Sequence, residues 1–266
     1  MSSQRALFKL VFLYFLVASY CASPTIILSS SPLPLSSAAD IHSAGIDAYV
    51  RGELVEAEHL IRSAVAMSPT NLNFCNTLGE ILRQKEEYDD AITQYKKALS
   101  GDDSTEETKL MVALVWTNLA KTYTTLNQHE QAQHALKSAL VLHPHNKGAQ
   151  FQLAYTLQVT GQLDDAYNQY KSLLTFLNSE DMKTPLGIDS LLNMGTLETL
   201  RGHHDRGMVL YERVLSIDPH NSNALNNIGA MGEPLVDAEA AFNYLNRAIQ
   251  AAPDDYAPHV NIASLC

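Results

Sequence analysis

Three prolines, Pro69, Pro144 and Pro219, stand 75 residues apart, each behind an apolar helical stretch. A second unit lies inside each 75-residue block. Aligned on the small residue that follows a large apolar one, the units start at 38, 72, 113, 147, 188 and 222, with spacings of 34 and 41 in alternation. Such a period excludes a globule with one central core. Each unit is short enough to be a single pair of helices, and one pair cannot bury its own apolar face. Neighbours must stack, so stability becomes a sum over adjacent units.

The residues inside each unit follow one pattern. The third carries Trp116, Leu119, Ala120, Tyr123, Ala132, Leu136, Ala139 and Pro144. Matching positions hold Ala44, Gly45, Gly52, Ala57, Ile61, Ala64 and Pro69 in the first, and Leu78, Gly79, Ala91, Tyr95 and Ala98 in the second. The fourth has Leu153, Ala154, Gly161, Ala166 and Tyr170. The fifth has Met194, Gly195, Gly202, Tyr211 and Pro219, and the sixth Ile228, Gly229, Ala241, Leu245, Ala248 and Pro253. Gly or Ala at positions 8, 20 and 27 lets two helices cross closely, and apolar residues at i, i+3, i+4 and i+7 give each helix one sticky face. A proline at position 32 closes the second helix. This pattern resembles the tetratricopeptide repeat. The resemblance covers nearly everything from residue 38 onward and implies an all-α, right-handed α-solenoid of six helix–turn–helix repeats plus a partial seventh at 256–266.

The departures from the period carry expectations of their own. Seven extra residues precede the third repeat (106–112) and the fifth (181–187). Seven residues are close to two helical turns, so an insert can lengthen a first helix without rotating its buried face. Ser104 with Glu107 predicts a capping box for the longer helix. Gly207 replaces the expected alanine in repeat five. Pro234 predicts that the first helix of repeat six ends early. Residues 256–266 match a first helix alone, and Val260, Ile262 and Leu265 make it a poor polar cap, an arrangement expected of a longer natural product or of an end that pairs with something.

Ahead of the repeats, residues 1–23 order a basic stretch (Arg5, Lys9), an apolar run (Leu10 to Ala18) and small residues, which predicts a secretory signal peptide. Residues 24–37 are rich in Ser and Pro and read as a linker before a repeat domain at 38–266. Entry into the secretory pathway, as a secreted or lumenal protein, follows. The alternative is a membrane anchor over residues 10–28, since the apolar run alone is short for a bilayer.

The chain is acidic, with a net charge of -11. That disfavours nucleic acid, whose phosphates need a basic stripe, and an anionic membrane surface. Three cysteines are too few for a disulfide framework; Cys75 falls on a packed position and reads as a buried thiol. His129 and His134 lack metal-binding spacing, and with His143, His145, His203, His204 and His220 they read as solvated turn residues. Asp89–Asp90, Asp102–Asp103 and Asp254–Asp255 suit helix starts rather than acid–base chemistry. No phosphate loop, nucleophile elbow or dinucleotide fingerprint occurs. Neither a catalytic site nor a cofactor is expected.

In the resembled family the first helices line a concave groove. Position 6 of those helices reads Ser43, Thr77, Asn118, Gln152, Asn193, Asn227 and Asn261. An asparagine amide can donate to a peptide carbonyl and accept from a peptide N–H. A ladder of such amides resembles that in the repeat arm of the protein O-linked N-acetylglucosamine transferases. Lys121 at position 9 and Arg83 at position 12 are the groove's charges, too few for a carboxylate clamp, and Phe151, Tyr155 and Tyr49 add aromatic surface. The expected site is therefore a groove for a neutral or mildly basic peptide, built from Asn118, Lys121, Gln152, Tyr155, Asn193, Asn227 and Asn261. The expected role is a non-catalytic protein–protein interaction scaffold. The alternative is the substrate-binding arm of a larger glycosyltransferase-like enzyme.

Overall fold

The computed structural model describes residues 37–101, 105–232 and 235–265, without the side chains of residues 106 and 107. The signal-peptide and linker readings at 1–36, Ser104, Pro234 and Cys266 lie outside these residues. The described chain is all-α. It forms two compact units, one ending at Asp103 and the other beginning at Ser104.

The first unit holds α1 (Ala38–Arg51), α2 (Leu54–Met67), α3 (Leu72–Gln84) and α4 (Tyr88–Ala98). The second holds α5 (Glu106–Thr125), α6 (His129–Leu142), α7 (Lys147–Val159), α8 (Leu163–Phe176), a 3-10 turn (Asp181–Lys183), α9 (Pro185–Leu200), α10 (His204–Ile217), α11 (Ser222–Gly229), α12 (Ala238–Ala251) and α13 (Ala257–Leu265). Consecutive helices pack as pairs, and each pair packs on the next within its unit. This is the solenoid expected of the period.

The first helices α1, α3, α5, α7, α9 and α11 start on side-chain caps. Ser37 and Asp40 form a full capping box at α1. Asn71, Asn146 and Asn221 each stand two residues after Pro69, Pro144 and Pro219. Their carboxamide oxygens accept the backbone N–H of Phe74, Ala149 and Ala224, satisfying donors that the first helical turn leaves open. The longer helix α5 is capped by Thr105, whose hydroxyl accepts from the Thr108 N–H. The expected Ser104–Glu107 box falls outside the described residues and side chains.

The turns inside the repeats share one backbone conformation. Gly52, Gly161 and Gly202 take φ of 85°, 77° and 83°, and the equivalent Glu86 and Asn127 take 66° and 56°. This left-handed geometry ends each first helix and sends the chain back along it.

The helix crossings explain the small residues. A β-carbon on Gly79 would lie 2.6 Å from the Tyr95 ring, and one on Gly195 would lie 2.6 Å from the Tyr211 ring. Gly45 faces Ile61 and Gly229 faces Leu245 in the same way. Gly207 departs from alanine because a methyl there would run into the Thr199 hydroxyl. The side chains brought together are fully buried: Ile61, Tyr95, Leu136, Tyr170 and Leu245 all have no exposure.

The two inserts behave differently. The first lengthens α5 to 20 residues, against 13 for α3 and α7. The second spends part of its length on the 3-10 turn, and α9 has 16 residues. In repeat six, α11 is only 8 residues long and closes at Ala230, with Gly232 at φ 67°, so the expected early end is observed.

Candidate peptide-binding face

The expected site residues all lie in the second unit. Helix α9 packs beside α7 and α11, and α11 beside α13. Asn118 on α5 is only 4% exposed, so its amide belongs to the packed interior and not to an open face. Lys121, one turn on, is half-buried.

Gln152 on α7 is half-buried, and its side-chain oxygen is shut off from water without a hydrogen-bond partner among the described residues. Tyr155 on the same helix is 45% exposed. Across from them, the Asn193 amide on α9 donates to the Tyr170 hydroxyl at 3.0 Å. Tyr170 is fully buried on α8 and holds the Phe151 ring edge-on at 5.8 Å. Burial raises the Tyr170 hydroxyl above its ordinary range, opposed by the Asn193 hydrogen bond and reinforced by nearby Tyr155 and Asp189. Partial desolvation likewise raises the Asp189 carboxyl. Asn193 and Tyr170 are thus joined directly, with Tyr155 and Asp189 near enough to act on the Tyr170 hydroxyl.

Farther along, the Asn261 amide donates to the Asn226 side-chain oxygen at 2.8 Å. The inter-helix amide contact runs through position 5 of α11, not through the expected Asn227, which is half-buried beside it. An asparagine-rich helix leaves both adjacent amides plausible by sequence, and only the rotation of α11 selects one. The amides thus do not form a uniform ladder. Asn118 is buried, Asn193 and Asn261 already have protein partners, and Gln152 and Asn227 remain on the half-open face.

The first unit disposes of its groove charges differently. Arg83 makes two hydrogen bonds to Glu80, 2.6 and 3.1 Å long, and the Glu80 side chain is 4% exposed. The Tyr95 hydroxyl donates to the same carboxylate at 3.3 Å. Arg83 is thereby neutralised internally. Tyr49 accepts from the Gln84 amide, and burial raises its hydroxyl. Thr77 is buried, with its hydroxyl donating to the Asn73 carbonyl at 2.9 Å, while Ser43 is exposed.

Among the histidines expected to be solvated, His134, His145 and His203 are exposed, each with one neighbour, whereas His42 on α1 is packed more deeply. His42 stacks on Phe74 with centroids 4.6 Å apart and meets the Thr77 hydroxyl at 3.0 Å. Burial lowers its pKa to about 4. His203 contacts the buried Glu198 carboxylate at 2.8 Å. His145 packs edge-on against Phe176, and His134 against Trp116. Among the described residues no group of three or more His, Cys, Asp or Glu side chains could hold a metal ion, and no helix is long and apolar enough to cross a membrane. Cys75 is a free, buried thiol raised by that burial.

Paired antiparallel helices, closed by small residues at their crossings and presenting a polar first-helix face, define a helical-repeat scaffold of the kind that carries protein–protein contacts. Models of the tetratricopeptide repeat match residues 69–142 and 117–175, so this stretch of the chain carries tetratricopeptide repeats. Over 202 residues, 76% of this chain, it is 25% identical to the Homo sapiens protein O-mannosyl-transferase TMTC3, of which that alignment covers 21%. The chain spans about a fifth of the length of that relative. Its fold is similar to that of pilF from Pseudomonas aeruginosa, with a TM-score of 0.68 at 16% identity, covering 85% of this chain and 97% of the other. It is also similar to YrrB, a tetratricopeptide-repeat protein with an unusual peptide-binding site, with a TM-score of 0.58 at 20% identity, covering 71% and 90%.

Proposed function

We propose that the chain is a non-catalytic scaffold whose second unit binds an extended segment of a partner protein along the face of α7, α9 and α11. The observation that carries this reading is the water-shielded, unpartnered oxygen of Gln152 beside the exposed ring of Tyr155. A buried acceptor left unpaired costs about 1–3 kcal/mol, and turning the Gln152 carboxamide toward the face would let a peptide N–H laid along α7 recover it. Tyr155 supplies amphipathic contact area next to it, and the Asp189 carboxyl favours a neutral or mildly basic segment over an acidic one. The peptide-binding site named for YrrB supports the same use of the fold.

The test is selection of binders from an unbiased peptide display library on the full chain. It is repeated on a Gln152→Ala, Tyr155→Ala, Asn227→Ala variant with an unchanged helical spectrum. Asn118 is left intact because it is buried. Binding of the selected peptides should weaken at least tenfold, and unchanged affinity would remove the reading.

A second reading rests on the likeness to TMTC3: the repeats act as the substrate-holding arm of a glycosyl-transferring enzyme. With it goes the proposal that residues 1–23 direct the chain into the secretory pathway. The intact mass of the protein from its native source tests both. A mass near that of residues 24–266 supports a processed scaffold, and a much larger one supports the arm.

A further inference from the structure

The second insert builds a feature that a lengthened helix would not. Residues 177–184 fold into a braced turn. The Asn178 side chain accepts the N–H groups of Glu180 and Asp181, both at 2.9 Å, and the Asp181 carboxylate accepts the Asn178 N–H at 3.0 Å. Lys147 on α7 grips the same carboxylate at 2.6 Å and holds it below the ordinary range. Thr184 caps α9. Gly187 is pressed so close that a β-carbon would lie 2.6 Å from the Met182 Cα. The turn is therefore preorganised before any ligand arrives.

Between this turn and the last turns of α10 lies a cleft of about 290 Å³. Leu177, Met182 and Ile217 supply its apolar part, and Asn178, Ser179 and Ser216 its neutral polar part. Its charged lining is Lys183 and Arg213, with no acid, on a chain whose net charge is -11. Lys183 also meets Glu180 at 2.8 Å, a pair 61% and 82% exposed. Such an exposed pair is weak, and an ammonium has two further donors. The volume is at the lower end for a ligand site, right for one large side chain with a charged neighbour.

We propose that this cleft binds an acidic segment of a partner protein, seating an apolar side chain against Leu177, Met182 and Ile217 and an adjacent carboxylate against Arg213 and Lys183. The site uses residues of the α8–α9 connection, the insert among them, and of α10. It is independent of the first-helix face, and its charge preference is the opposite one.

The probe is the capped peptide acetyl-Asp-Phe-Asp-Leu-amide, titrated into the full chain carrying 13C-methyl methionine. The Met182 methyl should shift and saturate. The counterpart acetyl-Lys-Phe-Lys-Leu-amide should leave it in place, and Arg213→Glu should weaken the acidic peptide at least tenfold while Arg213→Lys retains most of the binding. Arg213 is exposed, and equal melting temperatures of the two variants control for folding. An unmoved Met182 methyl, or a response that ignores the sign of the peptide and of residue 213, overturns the proposal. The triple variant of the first-helix face should bind this peptide normally, which separates the two sites.

Discussion

The Tyr95 ring occupies the space that a β-carbon on Gly79 would need, 2.6 Å away. Gly79 and Tyr95 are positions 8 and 24 of their repeat, one on each helix of the pair. The same two positions meet at Gly45–Ile61, Gly195–Tyr211 and Gly229–Leu245. In repeat four the pair is Ala154–Tyr170, both without exposure, so a methyl is accommodated where the helices are spaced for it.

Gly79→Ala should therefore destabilise only moderately. Overpacking costs about 1–3 kcal/mol, offset by about 1 kcal/mol of helix propensity. Urea unfolding should show a net loss of about 1 kcal/mol, and Gly79→Leu should fail to pack. A stabilised Gly79→Ala variant would mean the ring moves freely, contrary to its full burial.

Glu86 holds a left-handed backbone at φ 66°, where three other repeats place glycine. That conformation costs a β-carbon-bearing residue about 1–2 kcal/mol, part of which glycine returns as unfolded-state entropy. Glu86→Gly should raise stability by about 0.5–1 kcal/mol in chemical denaturation, and Gly202→Ala should lower it.

Arg83→Met should cost about 3 kcal/mol, because it strands the Glu80 carboxylate in a site where that side chain is 4% exposed. Adding Glu80→Gln should recover most of the loss, since the amide still accepts from Tyr95. Additive losses in the double-mutant cycle would contradict the coupling.

His42 titrates near 4 in the folded chain and near 6.5 when unfolded. Between those values the unfolded chain binds the extra proton, so stability is present above pH 6.5 and falls as pH drops toward 4. The linkage amounts to about 2 kcal/mol by pH 5. His42→Gln should flatten that part of the profile in pH-dependent thermal melts.

The first-helix and second-helix spans were legible because helix pairs of this size repeat local rules: small residues at crossings, a left-handed turn residue at position 15, proline after the second helix. The helix-capping asparagines are legible too, two residues after each of three prolines, where the chain enters the next first helix. The candidate face was legible only in part. Asn118 and Asn193 occupy the same repeat position, yet one is packed away and the other is spent on Tyr170. A repeat position specifies a direction on the helix, not how far the neighbouring repeat reaches over it.

The amino-acid sequence by itself determined the all-helical repeat, its crossings and its register, because those depend on residue size and spacing within one helix pair. Tertiary structure decided which polar groups stay available. Arg83 is cancelled by Glu80, the amide contact between α11 and α13 falls to Asn226, and the second insert becomes a braced turn walling a cleft. These outcomes depend on distances between helices that only stacking sets, and the strength of a polar group follows from the burial and partners it finds there.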